Sequence, residues 1–162
     1  MTAKRVLWAP WRREYVGRPK TGGCVFCRAA ENPEDPDSLV VASKKNSIAV
    51  LNRYPYASGH LMIIPKRHAG AVEELTGEEI SELWTLFVEA KKALDELYGP
   101  EGYNAGLNLG KAAGAGIGEH IHFHLVPRWK GDSNFMPVLA DIRVMPEHLL
   151  KTYADLKQKM GG

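Results

Sequence analysis

The chain has 162 residues, 44% of them hydrophobic and 25% charged, with a formal net charge of +2. That length suits one domain around one core, the charge is too mild for a nucleic-acid-binding domain with its strong basic patch, and no apolar run approaches the ~20 residues of a membrane span. A small anionic substrate remains compatible with such a balance.

The two cysteines, Cys24 and Cys27, are too few and too close together for an extracellular disulfide scaffold. The first fifteen residues are interrupted by charge and proline, unlike the apolar stretch of a secretory signal. A reducing cytoplasm is therefore the expected compartment. Residues 1–21 form an arm rich in Trp, Arg and Pro. Its Trp8 and Trp11 are expected to dock, since exposed tryptophans are costly.

Residues 38–43 and 47–52 have the β-formers of two short strands, and the polar turn Lys44-Lys-Asn46 between them suits a hairpin. Pro55 and Gly59 mark 54–60 as a loop, and Leu61–Pro65 reads as a buried strand. Thr76 stands three residues before Glu79, the spacing of a capping box. Ile80, Leu83, Trp84, Phe87, Leu94 and Leu97 then recur at helical intervals, and Gly99-Pro100 ends the run. Residues 103–109 look like a further strand and 110–118 a glycine-rich loop. A last helix is expected from Pro146, since proline suits a first helical position. Antiparallel-capable strands with one long inserted helix make an α+β domain.

Residues 120–127 alternate as a strand. Alternate side chains share a face, so His120, His122 and His124 are expected to line up, ~6–7 Å apart at the strand rise. Ile121, Phe123 and Leu125 are expected to face the core. Imidazole is a competent nucleophile at neutral pH, and neighbouring imidazoles can hold phosphate oxygens. A lone histidine on a strand is usually just a hydrogen-bonded side chain. Three on one face, directly after a glycine-rich loop whose N–H groups can approach an anion, favour chemistry over packing. A metal site built from all three is the competing reading. Cys24-Val-Phe-Cys27 has the spacing of a zinc knuckle or of a redox pair. The βαβ context of a redox pair is missing, and two free buried thiols remain an alternative.

His120-Ile-His-Phe-His-Leu-Val resembles the histidine-triad motif, and the segment Leu51-Asn-Arg-Tyr-Pro-Tyr-Ala-Ser-Gly-His-Leu-Met-Ile-Ile-Pro-Lys-Arg-His68 resembles that superfamily's second signature. The resemblance covers roughly 22–131, leaving the arm 1–21 and an extension 132–162 that carries the last helix. It implies a five-stranded antiparallel sheet with one long helix, a C-terminal helix following in the extension, and pairing into a homodimer. By position, His122 would be the nucleophile attacking an α-phosphorus and His124 would hold phosphate oxygens. Asn52 would contact the ribose hydroxyls, and His60 would lie beside the phosphate. Phe26 would stack on the base, Asn108 would line the phosphate channel, and Gly114 and Gly116 would offer backbone N–H groups to an anion. In zinc-containing branches of the superfamily, positions matching Cys24, Cys27, His68 and His120 hold a structural zinc ion.

Hydrolase branches usually carry Gly-Gln-Ser or Gly-Gln-Thr before the triad. This chain has Gly114-Ala-Gly-Ile-Gly-Glu119 there. Its flanks, Leu7-Trp-Ala-Pro-Trp-Arg12 and Pro127-Arg-Trp-Lys-Gly-Asp-Ser-Asn-Phe135, resemble the bacterial branch of diadenosine tetraphosphate phosphorylases. The implied reaction is nucleotidyl transfer through a phosphohistidine, with inorganic phosphate rather than water as acceptor. A dinucleoside polyphosphate or phosphoramidate hydrolase and a non-catalytic nucleotide-binding dimer are the alternatives. A nucleic-acid-repair member would normally need a further DNA-binding module.

Overall fold

A computed structural model of the chain describes residues 23–113, 120–132 and 147–161. The order is α1 (Val25–Glu31), β1 (Val40–Ser43), β2 (Ser47–Leu51), β3 (Leu61–Pro65), α2 (Gly77–Tyr98), β4 (Gly102–Gly106), β5 (Phe123–Arg128) and α3 (Leu149–Met160). The strands form one antiparallel sheet in the order β1-β2-β3-β5-β4. This is the α+β architecture expected. The arm, Gly114, Gly116 and residues 133–146 of the C-terminal extension lie outside the described residues.

β2 and β3 are buried along their whole length, as the apolar runs 48–51 and 61–65 require of strands covered on both faces. The hairpin between β1 and β2 is tied down by α2: the Asn46 N–H and the Ser47 hydroxyl both donate to Glu82, at 2.7 and 2.6 Å. Helix α2 begins where the capping box places it. Thr76 Oγ1 accepts from the Glu79 N–H, and the Glu79 carboxylate accepts from the Thr76 N–H. It ends at Gly99, whose φ of 52° is the left-handed cap geometry that glycine adopts without strain. Leu83, Leu86, Ala90 and Leu94 form its buried stripe, and α2 packs on β2, β3 and β5. Helix α3 packs on β1 and α2, with Leu156 fully buried, so the C-terminal extension contributes to the same core.

β1 starts at Val40 rather than 38 and β2 ends at Leu51 rather than 52, and three further boundaries differ from the sequence expectation. β4 ends at Gly106 rather than 109. The last helix starts at Leu149, where the His148 ring accepts from the Leu150 N–H and supplies the cap. β5 starts at Phe123, so His120 and His122 precede the strand. The ladder with β3 runs only through Leu61↔Leu125, Met62↔His124 and Ile63↔Phe123. Beyond it Pro65 has no amide proton to donate, and the Ile121 N–H turns away to the Ala69 carbonyl at 2.7 Å. Ile121 and Leu125 are buried as expected, Phe123 is only half-buried, and His120 and His122 are buried too, under Phe26.

Glu79 also takes two hydrogen bonds from Arg67, both at 2.9 Å. That guanidinium and the cap N–H hold its carboxyl at about 2, down from 4.5. The carboxylate is the form the fold favours, so its stabilisation is complete above pH 4.5 and disappears as the pH falls towards 2. Glu79→Gln is expected to lower stability at pH 7 by about 1–2 kcal/mol. In urea unfolding, the gap between variant and wild type should close over that acidic interval; a gap independent of pH would refute the assignment.

Candidate active site and metal centre

Cys24 is the N-cap of α1 and Cys27 lies in its first turn. Three residues apart on a helix, their side chains share one side. His68 follows β3, and His120 precedes β5. The four come together: Cys24 Sγ is 3.3 Å from His120 Nδ1, Cys27 Sγ is 3.3 Å from His68 Nδ1, and Cys27 Sγ is 3.6 Å from His120 Nδ1. All four ligand atoms lie within 4.8 Å of one another. These separations match the edges of a tetrahedron with metal–sulfur distances of about 2.3 Å and metal–nitrogen distances of about 2.0 Å.

The surroundings fit a metal as well. The Nε2–H of His120 donates to the Pro65 carbonyl at 2.8 Å, which leaves the Nδ1 lone pair facing the thiols. A ligating histidine is normally oriented by such an outer hydrogen bond. Burial, reinforced by the adjacent Cys24, pushes the Cys27 thiol up to about 11. A cation among the sulfurs reverses that penalty and favours the thiolates. The four residues are therefore placed so that they could hold a metal ion.

His120 also leads to the middle histidine of the row. His122 donates its Nδ1–H to the carbonyl of His120 at 2.9 Å, so Nε2 keeps its lone pair. Burial pulls the His122 pKa below its usual range, leaving a neutral imidazole. The His124 ring lies 4.8 Å from it, centre to centre. Burial and the neighbouring His122 bring His124 down to about 4. His124 Nδ1 is 2.9 Å from His60 Nε2, and its Nε2 is 3.4 Å from the Asn108 amide nitrogen.

The structure thus gathers most of the residues singled out in the sequence. His60 is fully buried behind His124. Asn52 accepts from the Tyr54 N–H at 3.0 Å through Oδ1, and its amide nitrogen is 3.3 Å from His60 Nδ1. Phe26, 5% exposed, packs against the rings of His120 and His122 at 5.6 and 5.2 Å. Asn108 stands at the end of the histidine row. Sequence reasoning missed the backbone groups that hold this row, the carbonyls of Pro65, Ala69 and His120. It also missed residues 70–73, which line a cleft of about 210 Å³ beside His122 together with Asn108 and Gly110. A metal ligand at His68 was the available signal, because it ties the residues that follow to the histidine row.

The HIT domain model matches residues 32–131. This chain belongs to the HIT, or histidine-triad, family. The family match includes His68 and the histidine row and begins after the cysteine pair. Relatives carry different activities in their names. A Mycobacterium tuberculosis H37Rv protein named AP-4-A phosphorylase is 39% identical over 154 residues, covering 90% of this chain and 79% of that one. A Schizosaccharomyces pombe adenosine 5'-monophosphoramidase is 33% identical over 105 residues, covering 65% of this chain and 74% of that one. Among solved structures, a zinc-bound histidine-triad family protein from Mycobacterium smegmatis is similar with a TM-score of 0.68 at 25% identity, covering 86% of this chain and 94% of that chain. Its five-stranded sheet and helices thus place this HIT chain in a common fold.

The purified protein is expected to hold a divalent metal, and Cys27→Ser or His68→Ala to lose it. Each kcal/mol of lost stability lowers Tm by roughly 2–4 °C at this size, and the loss of a ligand is expected to cost several. Elemental analysis beside thermal unfolding checks this: a metal-free wild type, or variants that keep both metal and Tm, would overturn the site.

Proposed function

We propose that this chain is a nucleotidyltransferase that cleaves diadenosine tetraphosphate with inorganic phosphate to give ATP and ADP, and that its metal is a structural zinc ion. The single observation that carries the reading is the neutral, buried His122, with Nδ1–H committed to a backbone carbonyl and Nε2 left as a nucleophile. The relative named AP-4-A phosphorylase, matched over 90% of this chain, supports the choice of substrate. The sequence Gly114-Ala-Gly-Ile-Gly-Glu119, without a Gln-Ser or Gln-Thr pair, supports phosphate rather than water as acceptor.

In the first step His122 Nε2 attacks the α-phosphorus of one adenosine. A P–N bond forms, the bridging P–O bond breaks, and ATP leaves with that oxygen and its electron pair. In the second step an oxygen of inorganic phosphate attacks the same phosphorus. The P–N bond breaks, its electrons return to Nε2, and ADP departs. This is double displacement, with ping-pong kinetics as its signature. His124, adjacent to His122, holds a non-bridging oxygen as charge develops on it. The committed Nδ1–H of His122 keeps the ring in one orientation through both steps. Zinc chemistry suits the donor set of two thiolates and two imidazoles, and a zinc-bound family structure supports it. The metal's part is to hold α1 against the histidine row. A homodimer working in the cytoplasm completes the reading.

Separating the nucleotides after incubation with diadenosine tetraphosphate tests the acceptor. ATP plus ADP, formed only when phosphate is present, is the expected result. ATP plus AMP irrespective of phosphate makes the chain a hydrolase, the reading favoured by the phosphoramidase relative. With α-labelled substrate, His122→Asn should leave no label on the protein, and full activity in that variant would remove His122 from the nucleophile's role.

A further inference from the structure

The histidine row does not end at His124. Behind it lies His60, and behind His60 lies the loop between β2 and β3. The backbone of that loop determines which nitrogens carry protons.

The Tyr54 N–H donates to Asn52 Oδ1 at 3.0 Å. An amide oxygen held in this way puts the amide nitrogen on the other side, where it faces His60 Nδ1 at 3.3 Å. The Tyr56 N–H faces the same Nδ1 at 3.1 Å. A backbone N–H is always a donor, so His60 Nδ1 accepts, and a neutral His60 must carry its proton on Nε2. His60 is fully buried, where a second proton and its charge would be costly. Its Nε2 is 2.9 Å from His124 Nδ1. Nδ1 of His124 is therefore an acceptor, and the proton of His124 sits on Nε2. That nitrogen faces Asn108, on a ring whose centre lies 4.8 Å from that of His122. The Asn108 amide can turn end for end to accept from it; the backbone of the loop cannot.

We infer that His60 is a positioning residue: it carries the donor state of two backbone N–H groups, those of Tyr54 and Tyr56, through to His124 and keeps His124 in the Nε2–H form. In that form His124 presents a hydrogen-bond donor to an oxygen of the substrate. In the other tautomer it would present a lone pair to an anion, which repels it. The inference rests on the nucleotidyl-transfer reading for its consequence but not for its geometry. Asn52 gains a second role from it, as a relay of the Tyr54 N–H. The Tyr56 ring, 4.7 Å from the His60 ring, covers the relay from outside.

The test is long-range nitrogen–proton NMR of the histidine rings in metal-loaded protein without nucleotide, beside steady-state kinetics. Wild type should show His60 and His124 both protonated at Nε2. In His60→Ala, His124 should shift to a mixture of tautomers, with kcat reduced about 10–100-fold, as for other residues that orient a working histidine. His60→Gln retains one acceptor and one donor and should restore both the tautomer and most of the rate. A wild-type His124 protonated at Nδ1, or a His124 that keeps Nε2–H in His60→Ala, overturns the inference. If His60→Ala does not fold, the wild-type spectrum and His60→Gln decide it. A wild type that shows the tautomers but performs no nucleotidyl transfer refutes the proposed function and leaves the relay standing.

Discussion

The arrangement depends on His120 and the three directions in which it is held. Its Nε2–H is taken by the Pro65 carbonyl, its Nδ1 faces the two cysteine sulfurs, and its own carbonyl takes the Nδ1–H of His122. One residue therefore joins the end of β3, the first turn of α1 and His122. Any ligand that fixes the His120 ring also fixes the backbone carbonyl two bonds away from that side chain. The orientation of His122 follows from this rather than from sheet pairing, because β5 has not yet begun at His122. A metal ion held by Cys24, Cys27, His68 and His120 would thus orient His122 without touching anything bound beside it.

Burial supplies the second constraint. A histidine in water is partly cationic near neutrality, and a cation is no nucleophile. His120, His122 and His124 are all held below the usual histidine range, with burial as the main cause in each. Phe26, packed against two of the rings, contributes the apolar cover. Buried imidazoles in turn require partners for their N–H groups. Backbone carbonyls provide them at His120 and His122, and other rings provide them along the row. Neutrality and orientation are consequently two results of the same packing.

Much of this was legible in the sequence. The capping box at Thr76 and Glu79, the glycine stop at Gly99 and the apolar run of β3 are local signals, and the structure follows them. The pairing of Cys24 and Cys27 with His68 and His120 came through the family resemblance, since spacing alone left a redox pair and free thiols open. The strand boundary before Phe123 was not legible. Alternation of His, Ile, His, Phe and His is the same pattern whether or not the backbone is paired, and only the absence of an amide proton at Pro65 hints that pairing stops. The backbone acceptors at Pro65, Ala69 and His120 were invisible for a plainer reason: every residue has a carbonyl, so no residue type announces one. Asn52 and His60 were expected beside a substrate, and their hydrogen bonds to each other, to the loop backbone and to His124 could not be read from residue type.

That last point bears on why the site lies where it does. Inside a ladder each N–H and C=O is used by the neighbouring strand, and side chains must find their partners elsewhere. Where β3 and β5 part, the carbonyls of Pro65, Ala69 and His120 lie outside the ladder between them, and at the other end of β3 the loop from β2 turns the N–H groups of Tyr54 and Tyr56 to Asn52 and His60. These groups cannot rotate as side chains do, and their donor or acceptor character never changes. Histidines seated among them inherit fixed tautomers at no further cost in conformational freedom. An arrangement that leaves one nitrogen bare and its neighbour protonated is therefore best placed where backbone groups lie outside the ladder. The interruption of the strand before Phe123 is then what lets the His120 carbonyl hold the His122 ring, rather than a defect in the sheet.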